Sequence, residues 1–165
     1  DVFALKLSVE KPLAYITQTT LSVDEARDTI AALRERFPNI IGPSAGDLCY
    51  ATGNRQAAVR ELCSKVDLLL IVGSSNSSNS TRLSELGKKC GIPSYLISSV
   101  EDLNFDWFKN VETVGLSSGA SAPDILVQGV QQAICAKFPD ILVENSVTLV
   151  ENLHFPLPKE LQEDK

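Results

Sequence analysis

The sequence predicts an α/β fold in which parallel strands are flanked by helices. Four short apolar runs alternate with segments of helical periodicity, an order that is typical of parallel sheets with helical crossovers. These runs lie at residues 13–16, 67–72, 94–97 and 111–116. The run at residues 67–72 (DLLLIV) is continuously apolar after its first residue, which indicates a strand buried on both faces.

The predicted helices fall between these strands. The first begins after Ser22, which together with Glu25 matches a capping box, and it ends before Pro38. Gly91 is the expected C′ residue of the third helix, and Ser121 is the expected N-cap of the last. The later helices are predicted at residues 55–66, 82–90 and 122–137, and a turn or strand end is predicted at residues 47–52.

Composition excludes several classes of protein. The chain has 165 residues, enough for one domain or for one domain and a fragment. Its net charge of −6 argues against a nucleic-acid binder, because a phosphate backbone requires a basic face. No apolar run approaches the ~20 residues of a membrane span, and we find no signal peptide. Because the chain begins at Asp1 and contains no Met, we expect a processed or truncated chain, or one portion of a longer protein.

The cysteines are widely and irregularly spaced, and free thiols in a cytoplasmic protein are expected rather than disulfides or a zinc ribbon. They are Cys49, Cys63, Cys90 and Cys135. Cys49 alone lies outside the helical patterns. Taken by itself it is typical of a small buried apolar residue, since one thiol cannot hold a cluster. The single histidine, His154, is expected to pack or to face solvent.

Three polar loops each lie between a predicted strand and the start of a helix. They comprise residues 17–20, 73–80 and 117–121, and none contains a charged side chain. In open parallel sheets the ligand crevice lies beyond the carboxyl ends of the strands. Hydroxyl groups, backbone amides and positive helix ends at one edge favour an anion. Each loop alone is equally typical of a solvated turn followed by an N-cap.

Four strings occur in order along the chain, and together they closely resemble one enzyme family. They are TQTTLSVD at residues 17–24, DLCYAT at 47–52, VGSSNSSNSTRL at 72–83 and GASAPD at 119–124. The chain is similar to the LytB/IspH family of 4-hydroxy-3-methylbut-2-enyl diphosphate reductases, of the bacterial type, from about residue 13 to residue 130. A weaker similarity continues at residues 155–161.

The resemblance implies the last step of the non-mevalonate isoprenoid pathway. The family removes a hydroxyl reductively from an allylic diphosphate to give isopentenyl and dimethylallyl diphosphates. It uses a [4Fe-4S] cluster held by three cysteines, and it draws electrons from a ferredoxin or flavodoxin-type donor. By resemblance Cys49 is the third cluster ligand, and the substrate-binding residues are Thr19, Ser77, Ser78, Asn79 and Ser121. Thr52 is assigned, more loosely, to ordering groups near the ligand.

The resemblance also implies what this chain lacks. The family's first two cysteine ligands, its diphosphate-binding histidines and its proton-donating glutamate all precede the region covered, so no catalytic residue is assigned here. The family fold is a trefoil-like arrangement of three α/β domains. Residues 1–45 are then the second half of the middle domain, residues 46–138 the third domain, and residues 139–165 a C-terminal tail. The tail has β-favouring stretches at residues 141–153 and an expected extended arm from residue 156.

Two functions from different classes are therefore open. In the first, the chain is the C-terminal portion of the reductase and is inactive without the N-terminal part. In the second, it is a non-catalytic module that binds diphosphate or acts as a scaffold. A nucleotide-binding α/β domain is disfavoured, because neither G-x-G-x-x-G nor a P-loop is present.

Overall fold

The computed structural model of the chain describes residues 1–8, 11–43 and 49–147. Its helices are α1 (Val23–Arg36), α2 (Tyr50–Cys63), α3 (Ser78–Lys89) and α4 (Asp124–Lys137). Its strands are β1 (Leu68–Val72), β2 (Ser94–Ile97) and β3 (Val114–Ser118). Short 3-10 helices cover Val2–Ala4, Val100–Asp102 and Phe105–Phe108. In the described part of the chain, no helix has the length and apolarity needed to cross a membrane.

The three strands form one parallel sheet in the order β2-β1-β3, which confirms the predicted fold class. Val72, the last residue of β1, lies opposite Ile97 of β2 and Ser118 of β3, so the three strands end level with one another. The chain leaves β1 through α3 to reach β2 on one side, and β3 then pairs on the other side. The connections after β1 and β3 therefore diverge, and such a switch point opens a crevice at the strand ends.

The central strand β1 is buried on both faces, as its sequence predicts. Leu68, Leu70 and Val72 point toward α4 and the 3-10 helices, whereas Leu69 and Ile71 point toward α2 and α3. Burial of each such side chain contributes about 1.5–3 kcal/mol. On the α4 side, the ring of Tyr95 stacks on Trp107 with centroids 3.9 Å apart and planes inclined by 4°. The sheet is thus the middle layer of an α/β/α sandwich.

Several predicted boundaries are wrong. Residues 13–16 form no strand, only an isolated parallel bridge between Ala14 and Ile41. Helix α2 begins at Tyr50 rather than residue 55, so residues 50–52 are helical rather than a turn. Helix α3 begins at Ser78 rather than residue 82. The first turn of α3 is made of polar residues, and the first turn of α2 contains a glycine and no repeat of apolar side chains. A search for apolar periodicity therefore does not detect these turns.

The residues predicted to cap the helices, and the predicted bounds of the later strands, are confirmed only in part. Gly91 has a positive φ of 87°, as expected of a C′ residue. Ser22 makes no side-chain capping bond among the described residues, so the capping box is absent. Pro123 is the N-cap of α4, not Ser121, and β3 runs from residue 114 to 118 rather than from 111 to 116. Residues 141–147 form no strand; residues 47–48, His154 and the expected arm lie outside the described residues.

Asp67 ties the start of β1 to the start of β3. Its Oδ2 accepts hydrogen bonds from the Thr113 hydroxyl (2.8 Å), the Thr113 amide (2.9 Å) and the Glu112 amide (3.1 Å). These bonds, the Thr113 hydroxyl first, lower the pKa of the carboxyl below its ordinary value of 3.8. The stabilisation is therefore present above pH 3.8 and is lost as the pH falls through the lower, folded-state pKa.

Replacement of Asp67 by Asn is accordingly expected to lower the Tm at neutral pH. The difference in Tm between the two proteins should shrink as the pH falls through the lowered pKa of Asp67, since below that pKa both proteins carry a neutral side chain. Thermal unfolding followed by circular dichroism across this range measures it. A Tm difference that stays constant with pH would contradict the assignment.

Candidate functional site

The loop after β1 leads directly into the N-terminus of α3. Gly73 continues the sheet by donating its amide to the Ile97 carbonyl (2.8 Å), and the Ser77 amide closes a turn onto Ser74 (3.0 Å). Ser77 is the N-cap of α3, and its hydroxyl accepts the Ser80 amide at 3.3 Å. Ser78 is exposed at the start of the helix. The positive end of the helix and its first amides thus face the edge where β1 ends.

Asn79 is the most informative side chain in this loop. It is only 6% exposed, yet neither its Oδ1 nor its Nδ2 has a hydrogen-bond partner within the described residues. Leaving such buried groups unpaired costs about 1–3 kcal/mol each. A partner for this amide would have to come from outside the described residues.

The loop after β3 lies beside the loop after β1. The Gly119 amide donates to the Val72 carbonyl at 2.9 Å, which extends the pairing of β1 and β3 by one bond. The Ala122 amide then turns back onto the Gly119 carbonyl at 3.1 Å. Ser121, within this turn, is exposed. Ser77, Ser78, Asn79 and Ser121 therefore come from two adjacent loops at one edge of the sheet.

Thr19 and Cys49 form a second group. The Cys49 amide donates to the Thr19 carbonyl at 3.3 Å, and both residues are exposed. Cys49 immediately precedes α2, as its N-cap, so its thiol lies at the positive end of that helix. The structure thus brings together the thiol and the threonine that the sequence resemblance selected, although they are 30 positions apart.

Side chains of helix α2 form hydrogen bonds with the segment that follows Thr19 and with the end of β3, where the loop of Ser121 begins. Its buried Gln56 donates Nε2 to the Leu21 carbonyl (3.0 Å) and accepts the Val23 amide (3.2 Å), which fixes the segment after Thr19. Its neighbour Arg55 donates to the Ser118 carbonyl at the end of β3 (3.3 Å). Arg55 also brings a positive charge to the edge of loops that carry none of their own. Sequence reasoning assigned no role to Arg55 or Gln56.

The fit of an iron–sulfur cluster can be tested on these residues. An exposed thiol at a helix N-terminus suits a thiolate ligand, and Cys49 fits that role. The described residues contain no group of three or more His, Cys, Asp or Glu side chains able to hold a metal ion. Cys49 therefore fits as one ligand of a shared site, whose other ligands would come from outside the described residues.

A cavity lies elsewhere in the molecule. It has a volume of about 320 Å³ and lies between β3, α4 and residues 141–146. None of the six candidate residues lines it. The candidate site lies instead at the open edge of the sheet where the strands end.

Two other cysteines are also close together. Cys63 ends α2 in the core, and its thiol is hydrogen-bonded with that of exposed Cys90. Burial, reinforced by Cys90, raises the pKa of Cys63 to about 11. At about pH 8, Cys63 in the folded chain should therefore react with iodoacetamide more than about 100-fold more slowly than an ordinary thiol.

Peptide mass spectrometry of the alkylated protein measures this difference. In the folded chain, Cys90 should be alkylated before Cys63. The alkylation rates of these two thiols should become similar once guanidinium unfolds the chain. Equal rates in the folded chain would contradict the assignment.

The fold and the site define a doubly wound α/β protein with neutral polar loops at the switch point of its sheet. The sequence profile of the family described as LytB protein matches residues 2–135. This match covers most of the chain, and the chain belongs to that family.

Its relatives are similar along nearly the whole chain. It is 52% identical over 162 residues to the 4-hydroxy-3-methylbut-2-enyl diphosphate reductase of Zymomonas mobilis, covering 98% of this chain and 47% of the relative. It is 51% identical to the enzyme of that name from Proteus mirabilis, covering 99% and 51%. The solved structure of the E-1-hydroxy-2-methyl-but-2-enyl-4-diphosphate reductase from Plasmodium falciparum matches with a TM-score of 0.86 and 35% identity, covering 96% of this chain and 50% of that one. The chain spans about half the length of the curated relatives it matches.

Proposed function

We propose that the chain supplies the C-terminal half of a 4-hydroxy-3-methylbut-2-enyl diphosphate reductase. The observation that carries this proposal is the buried amide of Asn79 at the positive end of α3, which has no hydrogen-bond partner in the described part of the chain. This amide lies beside the first N–H groups of α3 and the loop hydroxyls, and all of these groups can donate hydrogen bonds to a diphosphate. We further propose that residues 1–45, 46–138 and 139–165 are the half-domain, domain and tail of a trefoil-like enzyme.

The loops bind and orient the diphosphate. Asn79 donates from Nδ2, and the hydroxyls of Ser77, Ser78 and Ser121 donate from either side of the crevice. Thr19 contacts the substrate beside Cys49, at the end of the molecule that reacts. Because the loops that carry Ser77, Ser78, Asn79 and Ser121 are held at one edge of the sheet, these donors fix the orientation of the C–O bond that is to be broken, which is a positioning effect.

Cys49 would hold one corner of a [4Fe-4S] cluster. When bound, that cluster would relay electrons one at a time from an external donor to the substrate, whose hydroxyl is removed as water with a total uptake of two electrons and two protons. Thr52 is 4% exposed one turn after Cys49, and we assign it to ordering the start of α2. The proton donor is assigned to the N-terminal half.

We place this enzyme in the cytoplasm, where a ferredoxin or flavodoxin-type donor would deliver the electrons. The net charge of −6 disfavours nucleic acid as a partner.

A chimera tests the proposal. The chain is joined to the N-terminal half of the Zymomonas mobilis relative, and the product is reconstituted with iron and sulfide. This complete reductase should convert the allylic diphosphate, whereas the chain alone should show no activity. An inactive chimera that is folded and iron-loaded would contradict the proposal, as would full activity of the chain alone.

Calorimetry separates the alternative function. Under the proposal, the chain alone should bind the allylic diphosphate weakly until the N-terminal half is added. Tight binding by the iron-free chain would favour a non-catalytic diphosphate-binding module instead. The intact mass of the native protein adds an independent observation, because a mass near twice that of this chain is expected.

A further inference from the structure

Ser80 is a buried hydroxyl at the floor of the candidate site. It lies in the first turn of α3 and is 0% exposed. Its amide is bonded to the Ser77 hydroxyl, but its own hydroxyl has no hydrogen-bond partner among the residues described. A polar group in this state costs free energy that an apolar replacement would not. The hydroxyl at this position is therefore not explained by a contribution to folding.

Two glycine backbones pack directly against this hydroxyl. A Cβ placed on Gly73 would lie 2.3 Å from Ser80 Oγ, and a Cβ placed on Gly119 would lie 2.0 Å from the same atom. Real Cβ atoms essentially never lie within 3.0 Å of a non-bonded atom of another residue. A Cβ on Gly73 would also lie 2.7 Å from Ser80 Cβ, so this position requires glycine, whereas a Cβ on Gly119 fits only if the Ser80 hydroxyl rotates away. Each loop thus begins in contact with one side of the same hydroxymethyl group.

This contact lies where the loops after β1 and β3 separate, so it affects the distance between them. Pairing of β1 with β3 ends at the bond from the Gly119 amide to the Val72 carbonyl. Beyond that bond the two chains diverge, and Ser80 fills the gap between them. Ser77 and Asn79 are its neighbours on one side, while Ser121 follows Gly119 on the other.

We propose that Ser80 is a positioning residue, whose hydroxymethyl group sets the separation between the Ser77–Asn79 donors and Ser121. This role rests on the proposed function, because the separation matters only if both loops hold one diphosphate. Ser80 is fully buried and does not touch the ligand. It acts through Gly73 and Gly119.

The two directions of substitution have different consequences. Ser80→Thr adds a methyl group between glycine backbones that have no side chain to shorten, so the loops must move apart. Ser80→Ala removes the oxygen that contacts both glycines and leaves only a methyl group between the loops, so the loops can move closer together. The alanine variant should therefore lose ligand affinity without losing stability, since removing an unpaired polar atom is not destabilising in itself.

Ser84 offers a matched control. It lies one turn further along the same face of α3, is 4% exposed, and contacts Ser94 on β2 rather than either loop. Ser84→Ala and Ser84→Thr repeat the same chemical changes in the same helix. They should change the Tm without changing diphosphate affinity.

The experiment uses the complete reductase and measures the KM and kcat for the allylic diphosphate, the Kd for inorganic diphosphate, and the Tm. Ser80→Ala should raise the KM and the Kd by about three- to tenfold, with the Tm unchanged or raised and kcat changed less than the KM. Ser80→Thr should raise both by about tenfold or more. If the threonine variant does not fold, the alanine variant decides.

The outcomes are distinct. Unchanged Kd and KM in Ser80→Ala, while the wild type binds diphosphate, would overturn the positioning role alone. A loss of affinity in the Ser84 variants equal to that in the Ser80 variants would also overturn it. A folded wild-type enzyme that binds no diphosphate would overturn the proposed function and the positioning role with it.

Discussion

Replacement of Asn79 by Asp is expected to raise the KM for the allylic diphosphate by at least about 100-fold. The variant loses a donated hydrogen bond to a charged group, which is worth about 1.5–3 kcal/mol, and it places a carboxylate beside the substrate anion in a site only 6% exposed. Each 1.4 kcal/mol corresponds to a factor of ten in affinity. Steady-state kinetics of the complete reductase and calorimetry with inorganic diphosphate measure the change.

Asn76→Asp is the matched control for this prediction. It introduces the same charge three positions earlier, on an exposed residue of the same loop. Solvent screens an exposed charge, so the KM should rise by less than about threefold. Similar losses in the two variants would mean that the net charge of the loop matters and that the buried amide of Asn79 has no special role.

Replacement of Cys49 by Ser is expected to abolish reductase activity, with a loss of more than about 100-fold. Removing even an outer partner of a metal ligand costs about 10–100-fold, and a hydroxyl is a poor substitute for a thiolate ligand. The iron content and the visible absorption of the reconstituted enzyme should fall together with activity. Diphosphate affinity measured on the iron-free enzyme should change much less.

Cys135→Ser provides the control, since this half-buried thiol lies in the last turn of α4 and lines the separate cavity between β3 and α4. It should retain its iron content and activity. Normal iron content and turnover in Cys49→Ser would remove Cys49 from the ligand set.

The parts of the fold that the sequence could predict are those whose pattern is local. Residues 67–72 and 94–97 form β1 and β2 almost as predicted, because short apolar runs bounded by polar residues leave few alternatives. The run at residues 13–16 was equally apolar, but only Ala14 bridges to another segment. Whether an apolar run becomes a strand depends on the segment that pairs with it. The pattern of the run itself gives no information about that segment.

The candidate site was predictable only in part for the same reason. The loop residues could be named from the resemblance, and the sheet register explains why Ser121 lies beside the loop that carries Asn79. The roles of Arg55 and Gln56 depend on contacts with residues 63 and 35 positions away. Ser80 could not be distinguished from its polar neighbours until Gly73 and Gly119 were placed against it.

The stack of Tyr95 on Trp107 offers a practical benefit. Trp107 is the only tryptophan among the 165 residues, and its ring packs into the cluster between α4 and the sheet rather than into the polar loops. Its fluorescence emission is therefore an intrinsic reporter of tertiary packing on one side of the molecule. In this chain by itself, variants of Asn79 or Ser80 that keep the wild-type emission spectrum have kept that packing, so their folding can be checked without adding a dye.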